Sequence, residues 1–272
     1  MSPTPEQIFA TAGVRGFLHV RRLGSPASTG IGADSPVVLA SVVKVPLAYE
    51  FARQVAAGLL DPADRVRATA ADRLGGTGSA GFEDDVSYSL RDAARLALSV
   101  SDNTAADLLF DRVGVANVRS LLAELGLTRT SVIGAPRDLL RTIIEDTEAG
   151  RPLRALDPLR TSATTPREMT ALLAAIWADP AGEPVREWMS AQVSWHRLTA
   201  GFPPEVAVAG KTGTMPGIRN EIGVATYPDG VSYAIAVFTV GGSETLRRPD
   251  IDRAIGDAAR AAVEQLHEVR SG

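Results

Sequence analysis

Strand-like segments lie at both ends of the chain and enclose a long helical middle. Residues 14–23 near the amino end carry the β-branched and aromatic content of a strand. Three segments near the carboxyl end have the same character: residues 206–211, 221–227 and 232–240. A Pro-Asp-Gly run at 228–230 predicts a tight hairpin turn between the last two, and residues 250–268 predict a closing helix. This order predicts one α/β layer built from both termini, with a helical part inserted between them.

The middle of the chain carries a succession of helical patterns. A turn is expected over residues 24–32, before a second short strand, and the first long helix is expected from about residue 41 to a terminating glycine at 58. Further helices are predicted after a cap at Ser89, from residue 104 or 105, and over residues 115–125, 137–148, 166–178 and 185–193. Residues 75–81 contain Gly-x-Gly-x-x-Gly, but a helical segment precedes them, so a flexible loop near a pocket is expected instead of a dinucleotide site.

Composition excludes several classes of partner. The formal net charge of −4 provides no basic surface, so a nucleic-acid partner is not expected. The chain has no cysteine, and its three histidines, His19, His196 and His267, are too far apart in sequence for a helical metal site. Neither a metal ion nor another cofactor is therefore expected. No apolar run approaches the roughly 20 residues that a membrane span requires.

The amino terminus bears on location. Residues 1–7 lack the basic start, apolar stretch and small-residue cleavage site of a secretion signal. As written, the chain is expected in the cytoplasm, whereas a periplasmic or secreted location fits if a leader has been removed. A small-molecule substrate and a monomeric state are expected.

A serine and a lysine stand three residues apart where the first long helix is expected to begin: Ser41 and Lys44. Side chains at this spacing share one face of a helix, so the amine can approach the hydroxyl. Valines flank Lys44, and an apolar setting disfavours the charged ammonium, which lowers the lysine pKa toward a value suited to accepting a proton. The pair predicts a nucleophile and its base, although Ser-x-x-Lys alone also fits an amphipathic helix whose lysine reaches solvent.

Two further short motifs follow along the chain. They are Ser101-Asp102-Asn103 and Lys211-Thr212-Gly213. Each alone fits a structural role, the first as a helix cap and the second as the end of an exposed strand. Together with Ser41-x-x-Lys44, in this order and with 60 residues between Ser41 and Ser101, they resemble the class A serine β-lactamases and their penicillin-binding relatives. The Thr-Thr-Pro run at 164–166 also resembles the helix start that follows the Ω-loop in that family.

The resemblance covers roughly residues 14–268 and implies a fold. That fold is of the α/β class (α+β type), with an antiparallel sheet, flanking terminal helices and an all-helical insertion, as in β-lactamases and transpeptidases. It assigns residues 14–40 and 195–272 to a discontinuous α/β domain and residues 41–194 to a mostly helical domain. An active-site groove is expected between the two.

The resemblance also implies catalytic roles. Ser41 would attack a strained or activated carbonyl and hold the acyl group, and Lys44 would take part in the proton transfer that activates it. Ser101 would relay a proton to the departing nitrogen. The backbone N–H groups of Ser41 and Thr214 would form the oxyanion hole, worth about 3 to 4 kcal/mol per donor.

Substrate binding is expected from neighbouring positions. The Asn103 amide offers a donor and an acceptor to a substrate amide. Lys211 supplies positive charge and Thr212 a hydroxyl for the carboxylate of a penicillin, a cephalosporin or a peptide C-terminus, and Thr214 lines the same strand. Arg219 on the next strand either helps to bind that carboxylate or forms a surface salt bridge.

The Ω-loop glutamate of the class A hydrolases is missing from this chain. Family members that release the acyl group quickly carry Glu-x-x-Leu-Asn there, and its glutamate acts through a water. The chain has only three asparagines, Asn103, Asn117 and Asn220, so the motif is absent. Counting from Ser101, the glutamate would fall near residues 135–136, which are Ala and Pro. Glu145 and Glu148 are the nearest acids, and an exposed helix face is expected for both.

The missing base leaves three functions open. The first is a serine hydrolase of the class A β-lactamase type, which hydrolyses β-lactams or is acylated by them. The second is a D-Ala-D-Ala peptidase or an esterase of the same fold, possible in biosynthesis, with Lys44 serving both half-reactions. The third is a protein that binds a β-lactam or peptide without turnover, which the intact pair of Ser41 and Lys44 disfavours.

Overall fold

A computed structural model of the protein describes residues 3–241 and 245–268, and the side chains of residues 267 and 268, His267 among them, lie outside the described part. Its helices are α1 (Pro5–Thr11), α2 (Lys44–Ala56), α3 (Leu90–Ser99), α4 (Asn103–Val113), α5 (Val115–Glu124), α6 (Pro136–Glu148), α7 (Pro166–Ala178), α8 (Glu183–Ser190), α9 (Leu198–Gly201) and α10 (Pro249–Glu268). Its strands are β1 (Arg15–Arg22), β2 (Ser28–Ile31), β3 (Val37–Val38), β4 (Arg65–Ala68), β5 (Val86–Ser89), β6 (Ala163–Thr164), β7 (Ala207–Met215), β8 (Ile218–Thr226) and β9 (Ser232–Val240). The predicted mixed fold with an antiparallel sheet is confirmed.

The chain divides into two compact units. The first runs up to Val42, takes in residues 164–174 and resumes at Ser194, and the second comprises residues 43–163 and 175–193. The sequence-based domain boundaries leave residues 41–42, 164–174 and 194 outside the α/β part, whereas the structure groups all of them with it.

The first unit is built on a five-stranded antiparallel sheet in the order β2-β1-β9-β8-β7. Alternate apolar side chains of β1 and β9, such as Val20 and Ile235, belong to one buried cluster with Ile255 and Ala259 of α10. Every second side chain of a strand points to the same face of the sheet, and every third or fourth side chain of a helix lies on the same helix face. These residues therefore meet in one layer between the sheet and α10. Burial of each large aliphatic side chain contributes about 1.5 to 3 kcal/mol.

Two glycines bring α9 against α10. A Cβ atom on Gly201 would lie 2.3 Å from the carbonyl oxygen of Gly256, and one on Gly256 would lie 2.4 Å from that of Arg197. Any larger residue at either position would push the helices apart. The close approach holds Arg197 next to the first turn of α10.

The second unit consists mainly of helices α2 to α6 and α8. The rings of Phe51 in α2 and Trp188 in α8 stack with centroids 6.2 Å apart. The unit also contains an antiparallel pair of strands, β4 and β5, so the expectation of an all-helical insertion is wrong in this detail. Each strand of this pair has only four residues, too few for an alternating pattern to stand out in the sequence.

Several predicted boundaries shift in the first unit. Strand β2 lies inside residues 24–32, where the sequence predicts only a turn, and β7 continues to Met215, so Lys211-Thr212-Gly213 lies inside a strand. Strand β8 begins at Ile218, three residues before the predicted start. Polar residues conceal these strand segments in the sequence, and their strand conformation comes from pairing of β2 with β1 and of β7 with β8. The Pro-Asp-Gly hairpin turn is confirmed by the bond from Tyr227 N–H to Val231 O.

No helix in the described part of the chain combines the length and apolar character needed to cross a membrane.

Candidate active site

Ser41 lies on a 3₁₀ turn of residues 40–43, and α2 begins directly after this turn. The residue before Ser41, Ala40, has φ 47°, a left-handed conformation that costs energy for a residue with a Cβ and is concentrated at functional sites. Gly213 of β7 packs on the same turn, because a Cβ there would lie 3.0 Å from Leu39 O and 3.3 Å from the Ala40 Cβ. Glycine therefore lets the strand carrying Lys211 and Thr212 approach the Ser41 turn.

Lys44 is buried, with an exposed fraction of 0%. Its Nζ donates hydrogen bonds to Ser101 O at 2.7 Å, to Asn103 Oδ1 at 2.7 Å and to Ser101 Oγ at 3.3 Å. Burial lowers the Lys44 pKa from 10.5 to about 7, against the raising effect of Asp102 and Asp107. The structure thus brings three of the predicted residues together around an amine that is partly neutral near neutral pH.

The Ser101-Asp102-Asn103 segment is held in a special conformation. Ser101 has φ 61°, and Asp102 caps α4 by accepting the Ala105 N–H at 3.0 Å. The other Asp102 oxygen accepts the Ser79 N–H at 2.6 Å and the Ser79 hydroxyl at 2.7 Å. The glycine-rich segment therefore stabilises the conformation of this motif through the hydrogen bonds of Ser79 to Asp102. A Cβ on Gly78 would lie 2.5 Å from Asp102 Oδ2, which explains a glycine at that position.

Asp107 is a buried carboxylate one helical turn after Asn103 on α4. It accepts the backbone N–H of Arg137 at the start of α6 at 3.0 Å. Burial raises the Asp107 pKa to about 6, although this bond, the Arg137 charge and Lys44 all lower it. Asp107 and Lys44 therefore titrate close to each other in pH.

We expect Asp107→Asn to lower the Lys44 pKa further, because the Asp107 charge favours the ammonium form. If neutral Lys44 is the base, the acidic limb of the pH profile for acylation then moves to lower pH, by up to about 1 unit. Asparagine keeps an acceptor for the Arg137 N–H. Stopped-flow acylation with a chromogenic cephalosporin measures the profile, and Asp111→Asn, which removes an exposed partner of Arg137, serves as the control. An unchanged limb in Asp107→Asn contradicts the coupling.

Among the described residues, the nearest acids of the sequence analysis make no hydrogen bond to this network. Glu145 is exposed and pairs with Arg154 at 2.9 Å, and Glu148 is exposed as well, as expected for both. At residues 135–136, where the class A glutamate would fall, the structure has the start of α6, and the Asp138 carboxylate is engaged by the Ala135 N–H at 2.9 Å. None of these carboxylates bonds to the Lys44 network.

The other half of the predicted site lies on β7. Lys211 is fully buried and its Nζ donates to Thr212 O at 2.8 Å, and Thr212 is itself buried. Thr214 is exposed, and its Oγ1 accepts a 2.7 Å hydrogen bond from Arg197. The strand thus presents a hydroxyl whose orientation is fixed by a buried guanidinium.

A buried ion cluster of Arg197, Arg219 and Asp252 is hydrogen-bonded to β7. Arg197 Nε donates to Asp252 Oδ1 at 2.7 Å, and its Nη1 donates to Asn220 O at 2.7 Å and Gly213 O at 3.1 Å. Arg219 grips the same Asp252 carboxylate with Nε and Nη2, both at 3.0 Å, and its Nη1 donates to Leu246 O. A salt bridge is one of the two roles expected for Arg219, but it is buried instead of lying on the surface, and all three guanidinium nitrogens are engaged.

Arg197→Ala is expected to lower the free energy of unfolding by about 3 to 5 kcal/mol, the usual cost of breaking a buried ion pair from one side. The change leaves two backbone carbonyls without their donor, and it also releases Thr214 Oγ1. Urea denaturation, monitored by circular dichroism, measures the free energy of unfolding of the variant and of the wild type. The matched control Arg260→Ala removes an exposed pair with Glu264 and should cost no more than about 0.5 kcal/mol. Equal effects in the two variants would contradict a special role of Arg197.

Sequence reasoning missed four supporting residues: Ser79, Asp107, Arg197 and Asp252. Asp107 had a usable signal, since it lies four residues after Asn103 and so shares its helix face. Arg197 and Asp252 had none, because 55 residues separate them. In the described part of the chain no group of acidic and histidine side chains is arranged to hold a metal ion. His19 is bonded to Thr170 at 2.6 Å instead.

The model of the β-lactamase enzyme family matches residues 6–266. The chain belongs to this family.

Two curated relatives of this family member come from Streptomyces cacaoi. One is named β-lactamase regulatory protein BlaB, is 29% identical over 295 aligned residues and is matched over 94% of each chain. The other is named β-lactamase 1 and is 30% identical over 160 residues, which cover 57% of this chain and 48% of the relative.

Solved structures agree with the family assignment. A β-lactamase from Sphaerobacter thermophilus superposes with a TM-score of 0.81 at 26% identity, over 97% of both chains. A variant of PBP-A, solved as an acyl-enzyme complex with penicillin G, gives a TM-score of 0.78 at 22% identity over 96% of both chains, a likeness of fold. These structures confirm the fold class and the predicted resemblance to class A β-lactamases and penicillin-binding proteins.

Proposed function

We propose that this family member reacts with β-lactams through Ser41 and releases the resulting acyl-enzyme slowly. The observation that carries the proposal is Lys44: a fully buried amine with a pKa of about 7, bonded to both Ser101 and Asn103. A structural lysine would keep its charge and reach solvent, whereas a base must lose its proton near neutral pH.

In the proposed acylation, neutral Lys44 takes the Ser41 proton as Ser41 Oγ bonds to the lactam carbonyl carbon. The backbone N–H groups of Ser41 and Thr214 stabilise the negative charge on the carbonyl oxygen. The lactam C–N bond then breaks, and the nitrogen receives a proton through the Ser101 hydroxyl, which lies 3.3 Å from the Lys44 amine. One proton leaves serine and one reaches nitrogen, so the step balances.

Substrate binding is proposed for Asn103, Lys211, Thr212 and Thr214. Lys211 and Thr212 supply charge and a hydroxyl for the substrate carboxylate, and Asn103 faces the substrate amide. Arg219 is proposed as a positioning residue, since its guanidinium is held by Asp252 and Leu246 O. It acts on the site through the Asp252–Arg197–Thr214 chain of bonds.

Slow release is supported by how the carboxylates around Lys44 are engaged. Asp102 accepts three hydrogen bonds from Ser79 and Ala105, and Asp107 accepts the Arg137 N–H. Neither is left to activate a water in the way that the Ω-loop glutamate of class A hydrolases does. The names of two similar proteins fit this behaviour: one is a β-lactamase regulatory protein, and the other is a variant of PBP-A solved as an acyl-enzyme complex with penicillin G.

Intact-protein mass spectrometry with penicillin G and a chromogenic cephalosporin tests the proposal. A long-lived adduct of the mass of each antibiotic, with product forming no faster than the adduct decays, supports it. Fast product formation without an adduct would show a true β-lactamase that uses another base, and the proposal of slow release would fail. If neither an adduct nor a product is observed, β-lactams are not substrates of this protein and the proposal fails.

A peptidase or esterase activity is the second candidate. Lys44 favours it, because a neutral amine at this position can activate a water in the second half-reaction as it activates serine in the first. A panel of D-Ala-D-Ala peptides and short acyl esters distinguishes the two: turnover of an ester or peptide with a lasting β-lactam adduct assigns the natural substrate to this second class.

A further inference from the structure

A cavity in the first unit, at the start of α10, has three arginines and one histidine among its described lining residues. Its volume is about 580 Å³, and His196, Arg219, Arg247 and Arg253 line it together with Asp252 and Leu246. It lies beside the Arg197–Asp252 cluster. From this geometry we propose that the cavity is a binding site for a small organic dianion.

The charges in the cavity favour an anion. Asp252 is the one carboxylate among its described lining residues, and two arginines, Arg197 and Arg219, already neutralise this group. Arg247 and Arg253 are exposed and make no ion pair with any described residue. Asp250, at the start of the same helix, is engaged by Arg248 at 2.7 Å. The guanidinium groups of Arg247 and Arg253 can each grip one carboxylate in a two-point contact.

The shape and lining favour an organic ligand over an inorganic ion. A volume of about 580 Å³ falls in the range of small-molecule sites and exceeds the needs of a phosphate ion. Leu246, which is 61% exposed, contributes an apolar wall together with Ala200 and Pro249. An apolar body bearing two negative groups uses both features of the cavity.

His196 offers a direct reporter of occupancy. Its ring is half-exposed at the cavity, and burial together with the charges of Arg197 and Arg219 lowers its pKa, while Asp252 raises it. A dianion held beside the ring adds negative charge and therefore raises the His196 pKa.

Isothermal titration calorimetry with benzene-1,3-dicarboxylate tests the proposal on the full chain. Saturable binding of one molecule is expected, with at least tenfold weaker binding in the double variant Arg247→Ala/Arg253→Ala. The control Arg260→Ala removes an exposed arginine from the same helix, outside the cavity, and should bind as the wild type does. No saturable binding, or equal binding in the double variant, overturns the proposal.

Two further measurements test where the anion binds and which chemical class it belongs to. The Lys211→Met variant should still bind the dicarboxylate. Loss of dicarboxylate binding in this variant would place the anion at the proposed substrate site and overturn its assignment to the cavity. Inorganic phosphate and benzoate should bind more weakly than the dicarboxylate, and phosphate of equal affinity would overturn the organic class. The NMR titration of His196, assigned with His196→Gln, should show a higher pKa with the dicarboxylate present, and no change would contradict binding in this cavity.

Discussion

Ser41→Ala should abolish covalent capture of β-lactams. The Ser41 hydroxyl is the proposed point of attachment, and alanine removes that oxygen while it leaves the 3₁₀ turn of residues 40–43 unchanged. Loss of a serine nucleophile costs on the order of 10⁶ in rate. Intact-protein mass spectrometry should therefore show no adduct on the variant after an incubation that labels the wild type completely.

The control separates chemistry from folding. Ser35→Ala removes another serine hydroxyl six residues earlier in the same unit and should be labelled like the wild type. Ser41→Ala should keep the thermal midpoint of the wild type, and it should still bind a penicillin reversibly in calorimetry. An adduct of unchanged mass and yield on Ser41→Ala would place the nucleophile elsewhere and refute the proposed mechanism.

Much of the fold could be predicted because its signals are local. Periodic apolar patterns extend over eight or more residues in strands β1 and β9 and in helices α5, α6 and α7. The predicted bounds of these elements lie within a few residues of the observed ones. Strand β2 escaped prediction because its Ser-Thr-Gly-Ile sequence resembles a turn, and its strand conformation depends on pairing with β1.

The same distinction explains the candidate site. Lys44, Ser101 and Asn103 belong to short motifs, so their types and spacing show in the sequence, and the structure gathers them around one amine. The ion cluster behind β7 depends instead on Gly201 and Gly256, which let α9 approach α10. Such a contact between distant residues leaves no periodic trace. The burial of Asp107, which matters for the charge of Lys44, likewise depends on where α6 begins.

Burial of Lys44 links the stability of the protein to its proposed chemistry. In the folded protein the Lys44 amine donates hydrogen bonds to three oxygen atoms instead of to water. Burial nevertheless lowers the Lys44 pKa to about 7. Below that pH the folded protein must hold a charged ammonium that the unfolded chain carries in water at no such cost. A site of this kind sacrifices stability for a base that works near neutral pH.

Lys44→Met should therefore reduce the rate of acylation by about 10²- to 10⁴-fold, the range expected for loss of a general base. Methionine is an unbranched side chain that reaches as far as the lysine Cε position, and it removes the amine. Lys44→Arg is the matched variant, because it keeps a positive charge that cannot be given up near neutral pH. Both variants should be equally slow in stopped-flow acylation. An active Lys44→Arg would show that Lys44 acts only through its charge.

Wild type and Lys44→Met should also differ in stability in a pH-dependent way. The folded-state pKa of Lys44 is about 7 and its ordinary value is 10.5, so between these values the unfolded chain binds a proton that the folded protein does not. Stability of the wild type relative to Lys44→Met should then rise with pH from about 7 toward about 10 and stay constant below about 7. Urea denaturation of both proteins at pH values on each side of this pKa measures the difference. A difference that does not change with pH would mean that Lys44 keeps its proton in the folded protein, and the base would have to be sought elsewhere.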